Sequence, residues 1–435
     1  MTISQTINQP SFSEALRVWA KIGLLSFGGP AGQIAMMHRI VVDEKKWVSE
    51  PQFLHALNFC MLLPGPEAQQ LATYIGWLLH RAKGGVAAGL LFILPGFFVI
   101  VVLATIYALW REMPLISGIF YGLQAAVLAI VAEAVLRVAR RAIKTRLLLG
   151  LAGAAFIAIF LLKIPFPVIV LGAALFGWLV GRWRPALIQP GKLGQDADVL
   201  PSVPPSLRRN LLVLTIFGLL WFVPVGLLFA QYGAGHVLPR IAWFFSEMAV
   251  VTFGGAYAVL AYVGQQAVQV YGWLSPSEMV DGLGLAETTP GPLILVLTFV
   301  GYLAGFRFSG IEPAWLGGLA GGTLATWVTF VPCFLWIFLG APYIERIRHV
   351  AAFNHALTAI TAAVVGVILN LAVWFGLHVI FRDGALTTAA FDPVAALLSL
   401  TALVAVLRFH LGLGWLLGAA AICGVLAKQL PHLLM

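Results

Sequence analysis

Long apolar runs separated by short polar segments extend along this sequence from Leu16 to Leu430. Most of them approach or exceed the roughly 20 residues that an α-helix needs to cross a bilayer. The runs are Leu16–Phe27, Phe53–Leu79, Val86–Leu109, Ile116–Val138, Leu147–Leu162, Val168–Val180, Leu211–Phe229, Ile241–Val270, Met279–Ala304, Trp315–Leu339, Ala351–Phe375, Val394–Leu407 and Leu413–Leu430. The pattern predicts an all-α, polytopic membrane protein with roughly 12–13 transmembrane segments.

One polar, proline-rich segment interrupts this pattern near the middle of the chain. Five prolines and several basic residues lie between Arg182 and Arg209, and such a composition is typical of a linker. We therefore expect three parts. Residues 1–180 form a first repeat, residues 181–209 form a cytoplasmic linker, and residues 210–435 form a second repeat with an extra leading span.

Three short motifs occur on both sides of the linker at one constant spacing. Phe-Gly-Gly begins at Phe27 and Phe253 (253 − 27 = 226), and the tryptophan of a Trp-x-Ser triplet lies at Trp47 and Trp273 (273 − 47 = 226). Pro-Gly-Pro begins at Pro64 and Pro290 (290 − 64 = 226). Three motifs that share one offset indicate an internal duplication.

The distribution of basic residues predicts how the two copies are oriented. Loops that stay in the cytoplasm are enriched in Lys and Arg. The densest group consists of Arg137, Arg140, Arg141, Lys144 and Arg146. We place this loop in the cytoplasm. One span, Leu211–Phe229, precedes the second copy and turns it upside down, so we expect inverted repeats. This orientation assumes that each Pro-Gly-Pro segment crosses the bilayer. A re-entrant hairpin there would change whether the number of membrane crossings is even or odd.

Composition agrees with a membrane location. With 61% hydrophobic and only 10% charged residues, the chain has too little polar surface to cover a water-soluble globule. The net charge of +9 is what cytoplasmic loops rich in Lys and Arg produce, so we expect the lipid bilayer, and not nucleic acid, as a partner. The three cysteines lie far apart and suggest neither a disulfide framework nor a metal cluster.

Motifs of soluble catalysis are missing from the sequence. It contains no GxxxxGK[ST] phosphate loop, no HExxH and no GxSxG, so direct use of ATP and the common hydrolytic sites are not indicated. We therefore expect no catalytic residues, no cofactor and no metal site. Movement of a small solute is the favoured role, and an enzyme embedded in the membrane is a remote alternative.

The Pro-Gly-Pro motifs predict breaks inside two apolar segments. Proline lacks an N–H and obstructs the preceding turn, so Pro64 and Pro66 should divide their segment into two half-helices. Pro66 suits the first turn of the second half-helix, whose free N–H groups favour an anion. Glu67, Gln69 and Gln70 follow at that helix start, with Glu67 as a stabilised cap residue. The alternative is a plain kink eased by neighbouring helices.

The Phe-Gly-Gly motifs and two intramembrane charges complete the candidate set. Glycine pairs let a helix end or another backbone approach closely. Lys21 and Glu247 occupy equivalent positions (247 − 21 = 226) and are a candidate charge pair, or alternatively snorkel to an interface. The candidate substrate-binding residues are Gly28, Gly29, Pro64, Gly65, Pro66, Glu67, Gln69, Gln70, Gly254, Gly255, Thr288, Thr289, Pro290, Gly291 and Pro292.

These motifs resemble those of the chromate ion transporter (CHR) family. The resemblance rests on the Ser-Phe-Gly-Gly-Pro run that ends at Pro30 and on the long string from Leu62 to Trp77, which contains Pro-Gly-Pro-Glu. In the second half, the runs Val251–Leu260 and Thr289–Pro292 are similar to the second copy in that family. The resemblance covers nearly the whole chain and indicates a long-chain member with two copies.

The resemblance implies a multi-pass protein of the bacterial inner membrane that exports chromate and confers resistance to it. Chromate is a tetrahedral oxyanion shaped like sulfate, so sulfate is an expected competitor. Membrane potential or proton exchange would drive the export. A sulfate-type uptake carrier and an anion channel are the alternatives that the residues leave open, and so is a homodimer.

Overall fold

The computed structural model describes residues 10–188, 206–253, 255–343, 351–381 and 387–433. Within these ranges the chain forms 16 α-helices joined by short π-helical, 3-10 and irregular turns. No β-strand occurs there beyond one bridge pair between Phe381 and Phe391. The all-α fold class predicted from the sequence is confirmed.

In the part of the chain that the structure describes, seven helices lie before the linker and nine follow it. The first seven are α1 (Phe12–Leu25), α2 (Gly29–His38), α3 (Glu50–Cys60), α4 (Glu67–Trp110), α5 (Pro114–Ala142), α6 (Arg146–Phe160) and α7 (Phe166–Trp183). The others are α8 (Leu207–Tyr232), α9 (Val237–Val251), α10 (Ala256–Gln265), α11 (Pro276–Thr288), α12 (Val296–Phe308), α13 (Ala314–Gly340), α14 (Ala351–Ile380), α15 (Pro393–Phe409) and α16 (Leu413–Leu433). Residues 189–205 of the predicted linker lie outside the described residues.

Among the described residues, six helices are long and apolar enough to cross a membrane. They are Glu67–Trp110, Pro114–Ala142, Phe166–Trp183, Leu207–Tyr232, Ala314–Tyr343 and Asn354–Ile380. Four shorter apolar helices accompany them: Arg146–Phe160, Leu293–Phe308, Pro393–Phe409 and Leu413–Gln429. The apolar stretches that carry the repeated motifs are divided into shorter helices at those motifs. A multi-pass membrane protein is therefore confirmed. One helix ends before each Pro-Gly-Pro motif, and another begins after it.

The longest helix, α4, contains a sharp reversal. Non-helical backbone at His80 (φ −137°) and Arg81 (φ 55°) divides it into the arms 67–79 and 82–110. The arms fold against each other so closely that a Cβ on Gly76 would collide with the carbonyl oxygen of Gly84. At 1.5 Å per residue the first arm is about 20 Å long, which is short of a full span.

Local structure repeats at the offset of the sequence motifs. Ser49 caps α3 and Ser275 caps α11, and each forms a capping box with the residue three positions later, Gln52 or Glu278. π-Helical turns follow α2 and α10, at Arg39–Glu44 and Gln266–Val270. Because π-turns are rare, their recurrence at equivalent places supports the duplication.

The helices that follow the two Pro-Gly-Pro motifs lie in the interior of the bundle. Every residue from Ala68 to Trp77 is buried, and so is every residue from Thr289 to Gly305. A helix buried on all sides has no face left for lipid. In contrast, α8 buries only Asn210, Trp221 and Val225. The broken segments thus form the centre of the protein, and α8 lies at its perimeter.

Candidate functional site

Each Phe-Gly-Gly motif ends one helix and starts the next through glycines with left-handed backbone. Gly28 (φ 87°) and Gly29 (φ 69°) follow α1, and Gly255 (φ 97°) precedes α10. A residue with a Cβ adopts such backbone only at a cost of about 1–2 kcal/mol, so glycine suits these positions. Gly254, which the sequence places in the same site, lies outside the described residues.

Each Pro-Gly-Pro motif forms a sharp turn at its glycine. Gly65 has φ 123° and Gly291 has φ 89°. Pro66 and Pro292 have extended backbone (ψ 108° and 136°) and are N-cap residues. The expectation that Pro66 belongs to the first turn of its helix is corrected by one position, because its extended ψ delays the helix to Glu67.

The turns of one copy are hydrogen-bonded to the helix ends of the other copy. The backbone nitrogen of Gly65 donates to the carbonyl oxygen of Thr252 at 2.8 Å, and that of Gly291 donates to the carbonyl oxygen of Ser26 at 2.9 Å. The two bonds are equivalent, since 291 − 65 = 226 and 252 − 26 = 226. Such an exchange of partners is what a twofold relationship between copies produces. We call the two contacts the Gly65 crossing and the Gly291 crossing.

Four helix starts surround these crossings, and none of the four has a side-chain cap. α2 starts after Gly28, α4 after Pro66, α10 after Gly255 and a 3-10 turn after Pro292. The first N–H groups of a helix have no acceptor within the helix and carry the positive end of its dipole. The crossings therefore bring together backbone groups that favour a negative charge.

Two carboxylates lie at these helix starts, and each comes from the opposite copy. Oε1 of Glu67 lies 3.9 Å from the point where a Cβ on Gly255 would stand, and Oε2 of Glu287 lies 4.0 Å from the corresponding point on Gly29. Glu287 is 3% exposed and accepts a hydrogen bond of 2.5 Å from the hydroxyl of Tyr257. Because a helix N-terminus stabilises a carboxylate, both groups occupy positions in which they compete with an incoming anion.

Basic residues at the end of α5 act on both carboxylates. Arg137 forms an ion pair with Glu133 four residues earlier and also interacts electrostatically with Glu287. Arg141, one turn later, interacts with Glu67. Both arginines belong to the basic group that the sequence places in the cytoplasm. This end of α5 therefore supplies positive charge next to the crossings.

The glutamines that follow Pro66 are fully buried, and their amide donors are engaged within the protein. Nε2 of Gln70 donates to the carbonyl oxygen of Pro64 at 2.7 Å, and Nε2 of Gln69 donates to the hydroxyl of Thr73 at 2.9 Å. Nε2 of Gln33 donates to the carbonyl oxygen of Gly291 at 2.6 Å. Each of the three amides keeps a buried Oε1 with no partner among the described residues. Because the hydroxyl of Thr73 can donate as well as accept, the amide of Gln69 can rotate by 180° and present N–H to an anion. The same rotation of Gln33 or Gln70 would set the amide oxygen against a carbonyl oxygen.

The threonines before Pro290 cap the end of α11. The hydroxyl of Thr288 donates to the carbonyl oxygen of Leu285 at 2.8 Å, and that of Thr289 donates to the carbonyl oxygen of Ala286 at 3.0 Å. Their hydrogen atoms are thus committed to the helix, and only their oxygen lone pairs face outward. In this conformation they hold the turn in place and do not offer donors to a solute.

Lys21 and Glu247 are not in contact in this conformation. Both side chains are exposed, and neither forms an ion pair with a described residue. Glu247 instead interacts electrostatically with Tyr262 and Tyr271. A coupling between Lys21 and Glu247 stays a prediction about the transport cycle.

A second polar cluster ties α11 to α4 and α12. Nη1 of Arg111 and Nη2 of Arg307 both donate to Oε1 of Glu278 at 2.6 Å. Asp281, which is 1% exposed, accepts a hydrogen bond of 2.6 Å from the hydroxyl of Tyr107. Buried carboxylates require such partners. The cluster therefore fixes the helix that leads into the Gly291 crossing.

Tyr257 and Gln33 are not predicted from the sequence, and Glu287 is not among the candidate substrate-binding residues. Tyr257 and Glu287 are 30 positions apart, and Gln33 reaches Gly291 across 258 positions. Contacts at such separations leave no local pattern. The available signal for Glu287 is that an ionisable residue stands in an apolar segment directly before a Pro-Gly-Pro turn.

The profile of the Chromate transporter family matches residues 13–178 and 239–425. The chain belongs to the chromate transporter family. The two matched segments begin 226 residues apart (239 − 13 = 226), which is the offset of the motifs and of the two crossings. The resemblance noted in the sequence is therefore confirmed.

Relatives in this family match most of the chain. A chromate transport protein of Cupriavidus metallidurans is 27% identical over 416 residues, which cover 95% of this chain and 92% of the relative. A probable chromate transport protein of Synechococcus elongatus is 29% identical and covers 84% of this chain and 85% of its own length. A chromate transport protein of Pseudomonas aeruginosa is 30% identical, with 82% and 79% covered. No solved structure matches the chain.

Proposed function

We propose that this chromate transporter family member exports chromate across the bacterial inner membrane and thereby gives resistance to it. The observation that carries the proposal is the meeting of four uncapped helix starts at the Gly65 and Gly291 crossings, in the interior of a membrane protein. Helix N-termini bind oxyanions through backbone N–H groups and need no full counter-charge. The names of the relatives support chromate as the oxyanion.

The two carboxylates at the helix starts connect anion binding with protonation. When ionised, Glu67 and Glu287 are negatively charged competitors for the N–H groups that an oxyanion would use. Protonation of either side chain removes its charge and frees the helix start, so a proton and an anion can be exchanged at the same place. This arrangement supports proton exchange as one source of coupling.

The membrane potential is a sufficient alternative source of energy. Two negative charges that leave a cell held at about −100 mV gain about 4.6 kcal/mol (2 × 2.3). This free energy corresponds to a gradient of roughly 10³-fold. Export of a dianion can therefore proceed without a coupled proton.

The two copies are inverted with respect to each other in this proposal. The reciprocal hydrogen bonds support a twofold axis between the copies, and the single helix α8 between them supports an axis in the membrane plane. In inverted repeats of transporters, the solute site lies where the copies meet. The crossings would then be the place around which the protein alternates between its two open states.

The decisive experiment measures uptake of radiolabelled chromate by everted inner-membrane vesicles with an imposed interior-positive potential. We expect saturable uptake that increases with the potential and is inhibited by sulfate. Sulfate uptake at equal efficiency in right-side-out vesicles would show a sulfate-type carrier. Uptake that does not saturate would show a channel, and chemical conversion of the chromate would show an enzyme. Vesicles without the protein provide the blank.

A further inference from the structure

A long apolar groove opens on the outer surface of the bundle. Its volume is about 850 Å³, and it lies between α8, α13 and the second arm of α4. Nearly all of its lining is aliphatic or aromatic, including Leu212, Ile216 and Phe334. Leu212 is 58% exposed and Ile216 is 46% exposed, so the groove is open toward the surroundings of α8. In a membrane those surroundings are lipid.

The length of the groove matches one leaflet of a bilayer. At one end Arg209 of α8 donates a hydrogen bond to the carbonyl oxygen of Phe338 of α13. At the other end Nε1 of Trp327 donates to the carbonyl oxygen of Leu220 at 2.7 Å. Both helices cover 11 residues between these bonds (220 − 209 = 11; 338 − 327 = 11). Eleven residues correspond to about 16 Å of helix, close to half of the roughly 30 Å hydrocarbon core.

Positive charge is confined to one end of the groove. The guanidinium groups of Arg81 and Arg209 stand over the same ring, that of Trp77, at 5.5 and 6.0 Å from its centroid. Neither arginine has a carboxylate partner among the described residues. Nη1 of Arg209 is buried without a hydrogen-bond acceptor there. Two neighbouring guanidinium groups, one of which has an unused N–H donor, would be stabilised by an anionic group between them.

We propose that this groove binds one anionic phospholipid, with its phosphate on Arg81 and Arg209 and an acyl chain along α8 and α13. The groove matches such a lipid in two respects. Its positive end suits the phosphate, and its apolar length suits an acyl chain in one leaflet. The charged end lies on the side of the linker, which the basic residues place in the cytoplasm. The lipid therefore belongs to the cytoplasmic leaflet, whose anionic headgroups attract basic side chains.

Native mass spectrometry of the full chain, supplied with phosphatidylglycerol or with phosphatidylcholine of the same acyl chains, tests the charged end. With about 1 kcal/mol for each basic residue near anionic lipid, we expect a preference of roughly 30-fold for phosphatidylglycerol. Arg81→Gln, which removes no hydrogen bond seen in the structure, should reduce the preference about fivefold, and Arg81→Gln with Arg209→Gln should abolish it. Arg184→Gln, an exposed arginine outside the groove, is the control. An unchanged preference in both groove variants would overturn the proposal.

A second pair of variants tests the apolar length. Ile216→Trp fills the groove and should remove both lipids, whereas Leu219→Trp on the same helix, 57% exposed and outside the lining, should retain them. Monodisperse elution and the thermal midpoint without added lipid show that each variant is folded. Phosphatidylglycerol retained by Ile216→Trp would show binding to the headgroup site alone and would overturn the proposal. Loss of a cross-linked dimer in Ile216→Trp, with no lipid on the wild type, would assign the groove to a second copy.

Discussion

The backbone nitrogen of Gly65 lies 2.8 Å from the carbonyl oxygen of Thr252, so the turn in one copy is closed by the helix end of the other. Gly291 and Ser26 form the equivalent bond at 2.9 Å. In hydrocarbon an unpaired backbone group costs several kcal/mol, which makes these bonds strong constraints on the centre of the protein.

Gly65→Ala should impair both stability and transport. The residue has φ 123°, and a Cβ would lie 2.8 Å from Sγ of Cys333 and 2.8 Å from Nε2 of Gln70. Strained backbone and overpacking each cost about 1–3 kcal/mol. The thermal midpoint in detergent and chromate uptake should both fall. Gly150→Ala in α6, where a Cβ meets nothing within 4 Å, is the matched control and should retain both. A normal thermal midpoint and normal chromate uptake in Gly65→Ala would show that the Gly65 crossing contributes to neither.

Gln69→Leu and Gln70→Leu should reduce chromate transport while the amount of protein in the membrane stays normal. Both amides are fully buried beside the Pro-Gly-Pro turn. Gln70→Leu also leaves the carbonyl oxygen of Pro64 without its donor, at a cost of about 1–3 kcal/mol. Gln69→Leu lacks this backbone effect and is the cleaner test of solute binding. Gln231→Leu, at an exposed position of α8, is the control. If both buried variants transport normally, the site lies elsewhere.

Glu67→Gln and Glu287→Gln should weaken the pH dependence of transport. A charged carboxylate at a helix start competes with the anion, so wild-type KM should fall as pH decreases on the cytoplasmic side and the side chains become protonated. A glutamine at either position is neutral at every pH, so it removes the contribution of that carboxylate to the pH dependence of KM. The protonation of chromate itself affects wild type and variant equally, so the difference between their KM profiles isolates the carboxylates. Parallel profiles at all pH values would contradict the proposed proton exchange.

The two copies should expose equivalent loops on opposite sides of the membrane. Glu44 and Val270 lie in equivalent, exposed π-helical turns (270 − 44 = 226). Glu44→Cys and Val270→Cys are made in a background with Cys423→Ser, since Cys60 and Cys333 are buried. An impermeant maleimide added to intact cells should label one of the two variants only. Labelling of both from the same side would show a twofold axis along the membrane normal and would exclude inverted repeats.

Lys21→Met and Glu247→Gln should each impair transport, and the double variant should transport better than the worse single variant. Both charges are exposed and separate in the structure, so the predicted pairing belongs to the other state of the transport cycle. Residues in contact typically show interaction energies of about 0.5–3 kcal/mol in a double-mutant cycle. The transport rates of the wild type, the two single variants and the double variant give this interaction energy. Strictly additive losses would establish that the two residues act independently.

The sequence predicts the helical elements and the positions of the breaks, because periodicity, proline and glycine act locally. The offset from Pro64 to Pro290 and the helix start after Pro66 are examples. Contacts between the two copies could not be predicted in this way. Nothing near Glu287 indicates that it faces Gly29, and nothing near Gln33 indicates that its amide donates to the carbonyl oxygen of Gly291. These contacts follow from the packing of distant segments, which no local pattern records.

The reciprocal bonds also have a consequence for biosynthesis. The first copy leaves the ribosome with the N–H of Gly65 unpaired, because its acceptor at Thr252 is synthesised later. A backbone donor at that depth needs water or a temporary partner in the meantime. The core of the first copy can therefore mature only after the second copy has been inserted. A truncated chain that ends in the linker is expected to be degraded by membrane quality-control proteases. Residues 210–435, supplied as a separate polypeptide, should restore its amount in the membrane.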